Sequence, residues 1–396
     1  MKRNYANLDL LRSFAVLSVI AAHLYVQGES FRLWAFNREA DQFLRNLSFA
    51  GVMFFFVHTC LVLMLSMHRA PAAHLGRCFL IRRAFRIYPL CWAVILLSLL
   101  TGLTDEAGGG FHALGLRGIA VNMLLVHNFV RGYSSVIGPL WSLDWEVQMY
   151  LVLPLFFVAL RRYRRTPLAI WIWLGAVLLS IACTQSFVPR LFHAAVFVPM
   201  FAGGMVAYRM LERQSLAPRR HALPSWGWPP FILCLFVAQA ALSGTLPYES
   251  PLGAAINNGI CIALSVAIAS FTELRAGWVV RPAQQIAKYS YGIYLLHVPA
   301  LMFVLRYLVG LPAVLKVLAF LALTALLSFI SFHTIENPLI LLGKRLTQAQ
   351  PLQADLLNSM NPIAVVRPAP WNSAHALSVD IAPSMTGGES GGSPNA

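Results

Sequence analysis

NLDLLRSFAVLSVIAAHLYV, residues 7–26, is a run of the length that crosses a hydrocarbon layer as a helix, yet it carries Asp9, Arg12 and His23. At about 100° per residue, the eleven-residue step from Arg12 to His23 leaves only about 20° after three turns. The fourteen-residue step from Asp9 to His23 leaves about 40° on the other side, so all three share one face. Along the axis Arg12 and His23 lie about 16 Å apart at 1.5 Å per residue. A titratable side chain inside lipid is costly unless it is paired or wet. Two readings stay open. Either Arg12 snorkels and His23 makes a helix–helix hydrogen bond, or this face is a functional track between the two leaflets, with a pantetheine arm of comparable length to run along it.

Outward from this stretch the chain repeats the pattern. Its 396 residues are 58% hydrophobic and 11% charged, with mean hydropathy +0.65, far from the roughly 25% charge of a soluble domain. Apolar blocks at about 10–27, 47–67, 87–103, 145–160, 168–187, 191–211, 229–243, 253–272, 285–307 and 311–333 predict an all-α polytopic bundle of about ten spans. Residues 119–130 are too short to cross and read as an interfacial or re-entrant helix. Lys2 and Arg3 resemble the start of a signal peptide, but Asp9 and Arg12 interrupt the run and further spans follow, so the first helix is read as uncleaved.

The net charge of +15 is a membrane-sidedness signal and gives no support for nucleic acid. With the N-terminus inside, twenty Lys and Arg fall on the cytoplasmic side, among them Arg69 to Arg86, Arg161 to Arg165 and Lys344/Arg345, against eight outside. Both termini are therefore expected in the cytoplasm of a multi-pass bacterial inner-membrane protein. The six cysteines lack metal or disulfide spacing and read as packing residues, and no P-loop or GxGxxG occurs. Residues 1–345 form the expected membrane domain. Residues 346–396, rich in Pro, Ser, Gly, Asn and Ala, read as a disordered cytoplasmic tail, so any chemistry is expected among the helices.

Three more polar clusters interrupt the spans. LIRRAFRIYPLCW (80–92) offers Arg82, Arg83 and Arg86, guanidinium forks suited to phosphate or, alternatively, a positive-inside stop signal. GPLWSLDWEVQMYLVLPL (138–155) gathers Trp141, Ser142, Asp144, Glu146, Gln148 and Tyr150. Glu146 lies just inside the apolar boundary and is expected to pair with a cation or orient His23, the alternative being an aromatic belt with an ordinary N-terminal acid. KYSYGIYLLHVPALMF (288–303) places Tyr291, Tyr294 and His297 mid-membrane, where His297 is either a satisfied core residue or part of a wet cavity.

These stretches, in this order, resemble the integral-membrane acyltransferase-3 family over about residues 7–343. The opening helix carries Arg12 and His23 with ten residues between them, as the family motif does; RRAFRIYPLCW matches its Arg-x-x-Arg stretch at Arg83 and Arg86. LWSLDWEVQMY, YSYGIYLLHVP and IENPL match three further signatures. The second span departs: FFFVHTCLV has Thr59-Cys60 where the family usually has Ser-Gly, and adds His58. No fused esterase-like domain is expected, so transfer should go directly to the acceptor.

The resemblance implies transfer of acetyl or another short acyl group from cytoplasmic acyl-CoA, the donor substrate, to a hydroxyl of an extracytoplasmic glycan, with no bound cofactor or metal. It implies His23 as general base, or as a transiently acylated relay, with Arg12 and Glu146 as its catalytic companions. Asp9, Arg83, Arg86, Trp141, Ser142, Tyr150, Tyr291 and His297 are the expected substrate-binding residues. The rival from another class is a transporter or flippase using the same buried Arg, His and Glu as a path; no inverted repeat supports it.

Overall fold

The structure is a computed structural model that describes residues 5–35, 37–69, 74–104, 111–130, 134–164, 167–184, 195–216, 222–246 and 250–348. Most of the expected tail lies outside the described residues, as do Lys2 and Arg3.

Among the described residues twelve helices follow one another: α1 (Ala6–Ser30), α2 (Arg38–His68), α3 (Leu75–Thr101), α4 (Phe111–Met123), α5 (Leu140–Arg162), α6 (Leu168–Cys183), α7 (Val198–Leu216), α8 (Trp228–Thr245), α9 (Pro251–Ser270), α10 (Gly277–Tyr307), α11 (Ala313–Ser331) and α12 (Asn337–Gln348). A π-helical turn, Phe332–Glu336, joins the last two. A single isolated bridge, Leu223 to Phe271, is the extended pairing among the described residues.

Each of the ten expected spans contains a helix, but seven candidates are long and apolar enough to cross a membrane among the described residues: α1, α2, α3, α5, α8, α9 and α11 continuing into α12. Helix α6 has only 16 residues. Helix α7 carries Arg209, Glu212 and Arg213, and α10 dilutes its apolar content with Tyr289, Tyr291, Tyr294, His297 and Pro299. The short segment near 119–130 is α4, broken at Gly115, followed by a 3-10 turn at His127–Phe129.

Helix boundaries follow local chemistry. Asn37 caps α2 by accepting from the Ala40 amide at 2.9 Å, with Glu39 and Asp41 in the first turn where the helix dipole favours acids. Ser250 caps α9 in the same way, with Pro251 pre-set at its first position.

Helix α2 is the most enclosed span and packs on α1, α5, α7, α8 and α9. Apolar attraction between helices is weak in lipid, so close approach depends on small residues. A methyl on Gly51 would fall 2.3 Å from Ser18 Oγ and 2.7 Å from the Ala15 carbonyl, which is why α1 and α2 touch there. On the opposite face a methyl on Gly204 of α7 would meet the Val57 carbonyl at 2.5 Å and Cys60 Cβ at 2.7 Å. Cys60, the departure from the family's usual glycine, is fully buried, and Gly204 supplies the room it takes up.

Helix α1 is pinned at its start. Asn7 donates from its side chain to the Thr272 carbonyl at 3.0 Å and accepts from the Leu274 amide at 3.0 Å, while its carbonyl accepts from the buried Trp228 indole at 3.1 Å. Ser13 Oγ reaches the Ala283 carbonyl of α10 at 2.9 Å. These bonds fix which face of α1 meets α10.

Candidate active site

The fixed face of α1 brings His23 against α10. Nδ1 of His297 lies 2.8 Å from the Tyr294 carbonyl and 3.2 Å from that of Ile293. Carbonyls only accept, so this nitrogen carries the His297 proton and Nε2 carries the lone pair. That Nε2 stands 3.3 Å from Nδ1 of His23, which also faces the Val19 carbonyl at 3.1 Å. Nδ1 of His23 is thus the donor, and its Nε2 is left as the basic atom. His297 is fully buried, a histidine satisfied by backbone on one side and spent on a second histidine on the other.

At the other end of the α1 face lies an arginine cluster. Glu146 accepts a hydrogen bond from Tyr150 one turn on, and the charges of Arg12, Arg86 and Arg83 act on it. Glu336, buried on the π turn, faces Arg86 and Arg12 as well. The Nε atoms of Arg12 and Arg83 are buried with no hydrogen-bond partner among the described residues. A buried guanidinium donor left unpaired is costly, and a phosphate oxygen is the acceptor that suits it. Asp9 is a further charge neighbour of Arg12.

A small pocket bounded by α1, α2, α5 and α10 has Ala15, Val19, Gly51, Phe55, Ser142 and Tyr294 in its lining. Two of these, Phe55 and Tyr294, belong to a succession of rings that forms a wall beside it. His58 lies 6.1 Å from Phe55, Phe55 stacks 6.5 Å from Tyr294, Tyr294 is 6.2 Å from His297, and His297 is 5.0 Å from His23, all between centroids. The Arg12 guanidinium sits 5.7 Å over the Phe55 ring, at the start of this wall. Ser142 Oγ and the Tyr294 hydroxyl are 2.6 Å apart beside the pocket, and both also reach the Pro139 carbonyl at 3.2 Å.

Glu146, expected to pair with a cation or to orient His23, stands with the arginines, and the ring set on His23 is that of His297. Tyr150 joins the arginine end. Tyr291 donates to the Ile87 carbonyl of α3 at 2.6 Å, tying α10 to the helix that carries Arg83 and Arg86. Trp141 packs on Phe197, 5.3 Å between ring centroids.

A pair that sequence reasoning passed over is His127 with Asp144, Nδ1 to Oδ2 at 2.8 Å. Asp144 also accepts from the Asn128 amide at 3.2 Å, and Asn128 exchanges two amide hydrogen bonds with Gln148 at 3.1 and 2.8 Å. The HNF stretch is thereby bolted to the first turns of α5. Its signal was the adjacent His127-Asn128 in an apolar segment too short to span.

Residues 5–333 match the sequence profile of the acyltransferase-3 family, described as an acyltransferase domain. The chain is 27% identical to the peptidoglycan O-acetyltransferase OatA of Listeria monocytogenes over 367 residues, which cover 84% of this chain and 55% of that protein. It is 24% identical to the putative peptidoglycan O-acetyltransferase YrhL of Bacillus subtilis over 375 residues, 87% of this chain and 56% of that one. It thus spans just over half the length of these relatives. No solved structure matches it. The extent of the profile match, together with a first helix that sets Arg12 and His23 on one face, places the chain in the acyltransferase-3 family of membrane proteins.

Proposed function

We propose that this protein is a membrane O-acyltransferase that moves an acetyl or similar short acyl group from acyl-CoA to a hydroxyl of a glycan outside the cytoplasmic membrane. One observation carries the reading: one face of α1 carries both an imidazole, paired with His297 so that its basic atom is Nε2, and Arg12 of an arginine cluster in which the Nε atoms of Arg12 and Arg83 are buried without a hydrogen-bond partner among the described residues. The names of the two relatives, both O-acetyltransferases of a glycan polymer, support the same class of reaction.

In this reading the arginine end faces the cytoplasm of the bacterial inner membrane, and Arg12, Arg83 and Arg86 bind the phosphates of the donor. The pantetheine arm runs along the ring wall and delivers the thioester to His23. The acceptor hydroxyl attacks the thioester carbon as Nε2 of His23 takes its proton. His297 holds the His23 ring by accepting from Nδ1, so the imidazolium that forms is stabilised by a hydrogen bond. Of the Ser142 and Tyr294 hydroxyls, which bond each other and the Pro139 carbonyl, Tyr294 turns its proton from that carbonyl to the oxyanion as the thioester enters, while Ser142 keeps its own bond. Collapse of the tetrahedral intermediate expels the CoA thiolate, which recovers the proton from His23. The products are the glycan ester and CoA.

The test is mass spectrometry of the host's surface glycans with and without this protein, complemented by the wild type or His23→Ala. Loss of an acyl mass that only the wild type restores supports the reading. Restoration by His23→Ala, with the protein inserted in the membrane, rejects it.

A further inference from the structure

His58 is one of the residues by which this chain departs from its family's usual second span, and the reaction above does not use it. It is 4% exposed, and its Nδ1 has no hydrogen-bond partner among the described residues. The stripe Gly51, Phe55, His58 on α2 falls on one face at spacings of four and three residues, and its first two members line the pocket. Because α1 and α2 run in opposite directions from the contact of Gly51 with Ala15 and Ser18, residue 58 stands level with the Arg12 end. The Phe55 ring lies between His58 and Tyr294 and carries Arg12 above it.

His58 is thus a further buried polar group without a hydrogen-bond partner among the described residues, at the Arg12 end where the Phe55 ring, with the Arg12 guanidinium over it, begins the ring wall. A buried imidazole nitrogen left unpaired is unfavourable, though less so than an unpaired guanidinium donor, and an oxygen-rich group entering between His58 and Arg12 satisfies both. We propose that His58 is a donor-binding residue, hydrogen-bonding the acyl-CoA where its diphosphate gives way to the pantetheine arm. The arginines hold charge and His58 sets where the flexible arm turns into the pocket, so that the thioester arrives at His23. This rests on the acyl-CoA reading given above.

The experiment measures binding of coenzyme A and the dependence of acyl transfer on acetyl-CoA concentration, using the full chain in phosphatidylcholine nanodiscs. Wild type, His58→Ala and His58→Gln are compared. The expected result is a roughly ten-fold weaker Kd for coenzyme A in His58→Ala, the size of one lost hydrogen bond to a charged ligand. Transfer should recover as acetyl-CoA is raised, and His58→Gln, which keeps a donor and an acceptor near the same place, should restore most of the affinity. Unchanged Kd in His58→Ala overturns the proposal, as does a loss that His58→Gln fails to rescue, since that marks a packing role. Restored partnering by anionic lipid, seen as competition by phosphatidylglycerol that His58→Ala abolishes while coenzyme A binds all variants alike, also overturns it. Failure of wild type itself to bind coenzyme A overturns the acyl-CoA reading instead, so the two failures are distinguishable.

Discussion

Nε2 of His297 stands 3.3 Å from Nδ1 of His23 across the α1–α10 contact, and two backbone carbonyls on the far side of the His297 ring dictate which nitrogen of each ring holds a proton. The pair is built from residues 274 positions apart, and its geometry leaves the basic atom of His23 on Nε2.

His23→Ala removes the base and is expected to lower acyl transfer by about 10²–10⁴-fold, the usual worth of a positioned general base. His297→Ala leaves the base but releases its orientation, so a smaller loss is expected, with partial recovery in His297→Gln, whose side-chain oxygen accepts the same bond. Rates of acyl transfer in membranes of matched protein content check this. Equal loss in His297→Ala and His297→Gln would show that the hydrogen bond to His23 is not what matters.

Arg83→Ala and Arg86→Ala are expected to raise KM for acetyl-CoA by about ten-fold or more each, since a charge-assisted bond to phosphate is worth roughly 1.5–3 kcal/mol. Donor titration of each variant reads this directly. An unaltered KM in both would remove the phosphate-binding role from the cluster.

Tyr294→Phe deletes the hydroxyl that meets Ser142 Oγ at 2.6 Å while keeping the ring in the wall. Turnover at saturating donor is expected to fall by about ten-fold or more, with KM for acetyl-CoA little moved, as suits a group that acts on the developing oxyanion. A change confined to KM would assign Tyr294 to donor binding.

Gly204→Ala places a methyl 2.5 Å from the Val57 carbonyl and 2.7 Å from Cys60 Cβ, so α2 and α7 must separate. A cost of about 1–3 kcal/mol is expected, read as a lower melting temperature in detergent. The double variant with Cys60→Gly should recover part of that loss by removing one of the three clashes, the third being with the Leu61 nitrogen at 2.9 Å, whereas equal melting of single and double variants would show that Cys60 and Gly204 are not coupled.

Much of the site was legible because lipid makes charge conspicuous. Asp9, Arg12 and His23 stand out in an apolar run, and helical periodicity puts them on one face with no tertiary information. The same holds for the Arg83/Arg86 pair and the polar cluster around Glu146. Glu146 could pair with a cation or with His23 as far as local pattern went; its bond to Tyr150 is local to α5, but its place among Arg12, Arg83 and Arg86 follows from how α5 packs in the bundle. His297 read more readily as a satisfied core histidine than as part of a wet cavity, since one helix carries no information about which face of α1 it meets.

Length, periodicity and the spacing of polar residues within single helices are local properties, and they sufficed for the helical class and for the face of α1 that Asp9, Arg12 and His23 share. The pairing of His23 with His297, the bolting of His127 to Asp144 and the ring wall from His58 to His23 are contacts between distant segments. They depend on how the helices pack, which small residues such as Gly51 and Gly204 and the pinning of Asn7 decide by how closely and at what rotation the backbones meet.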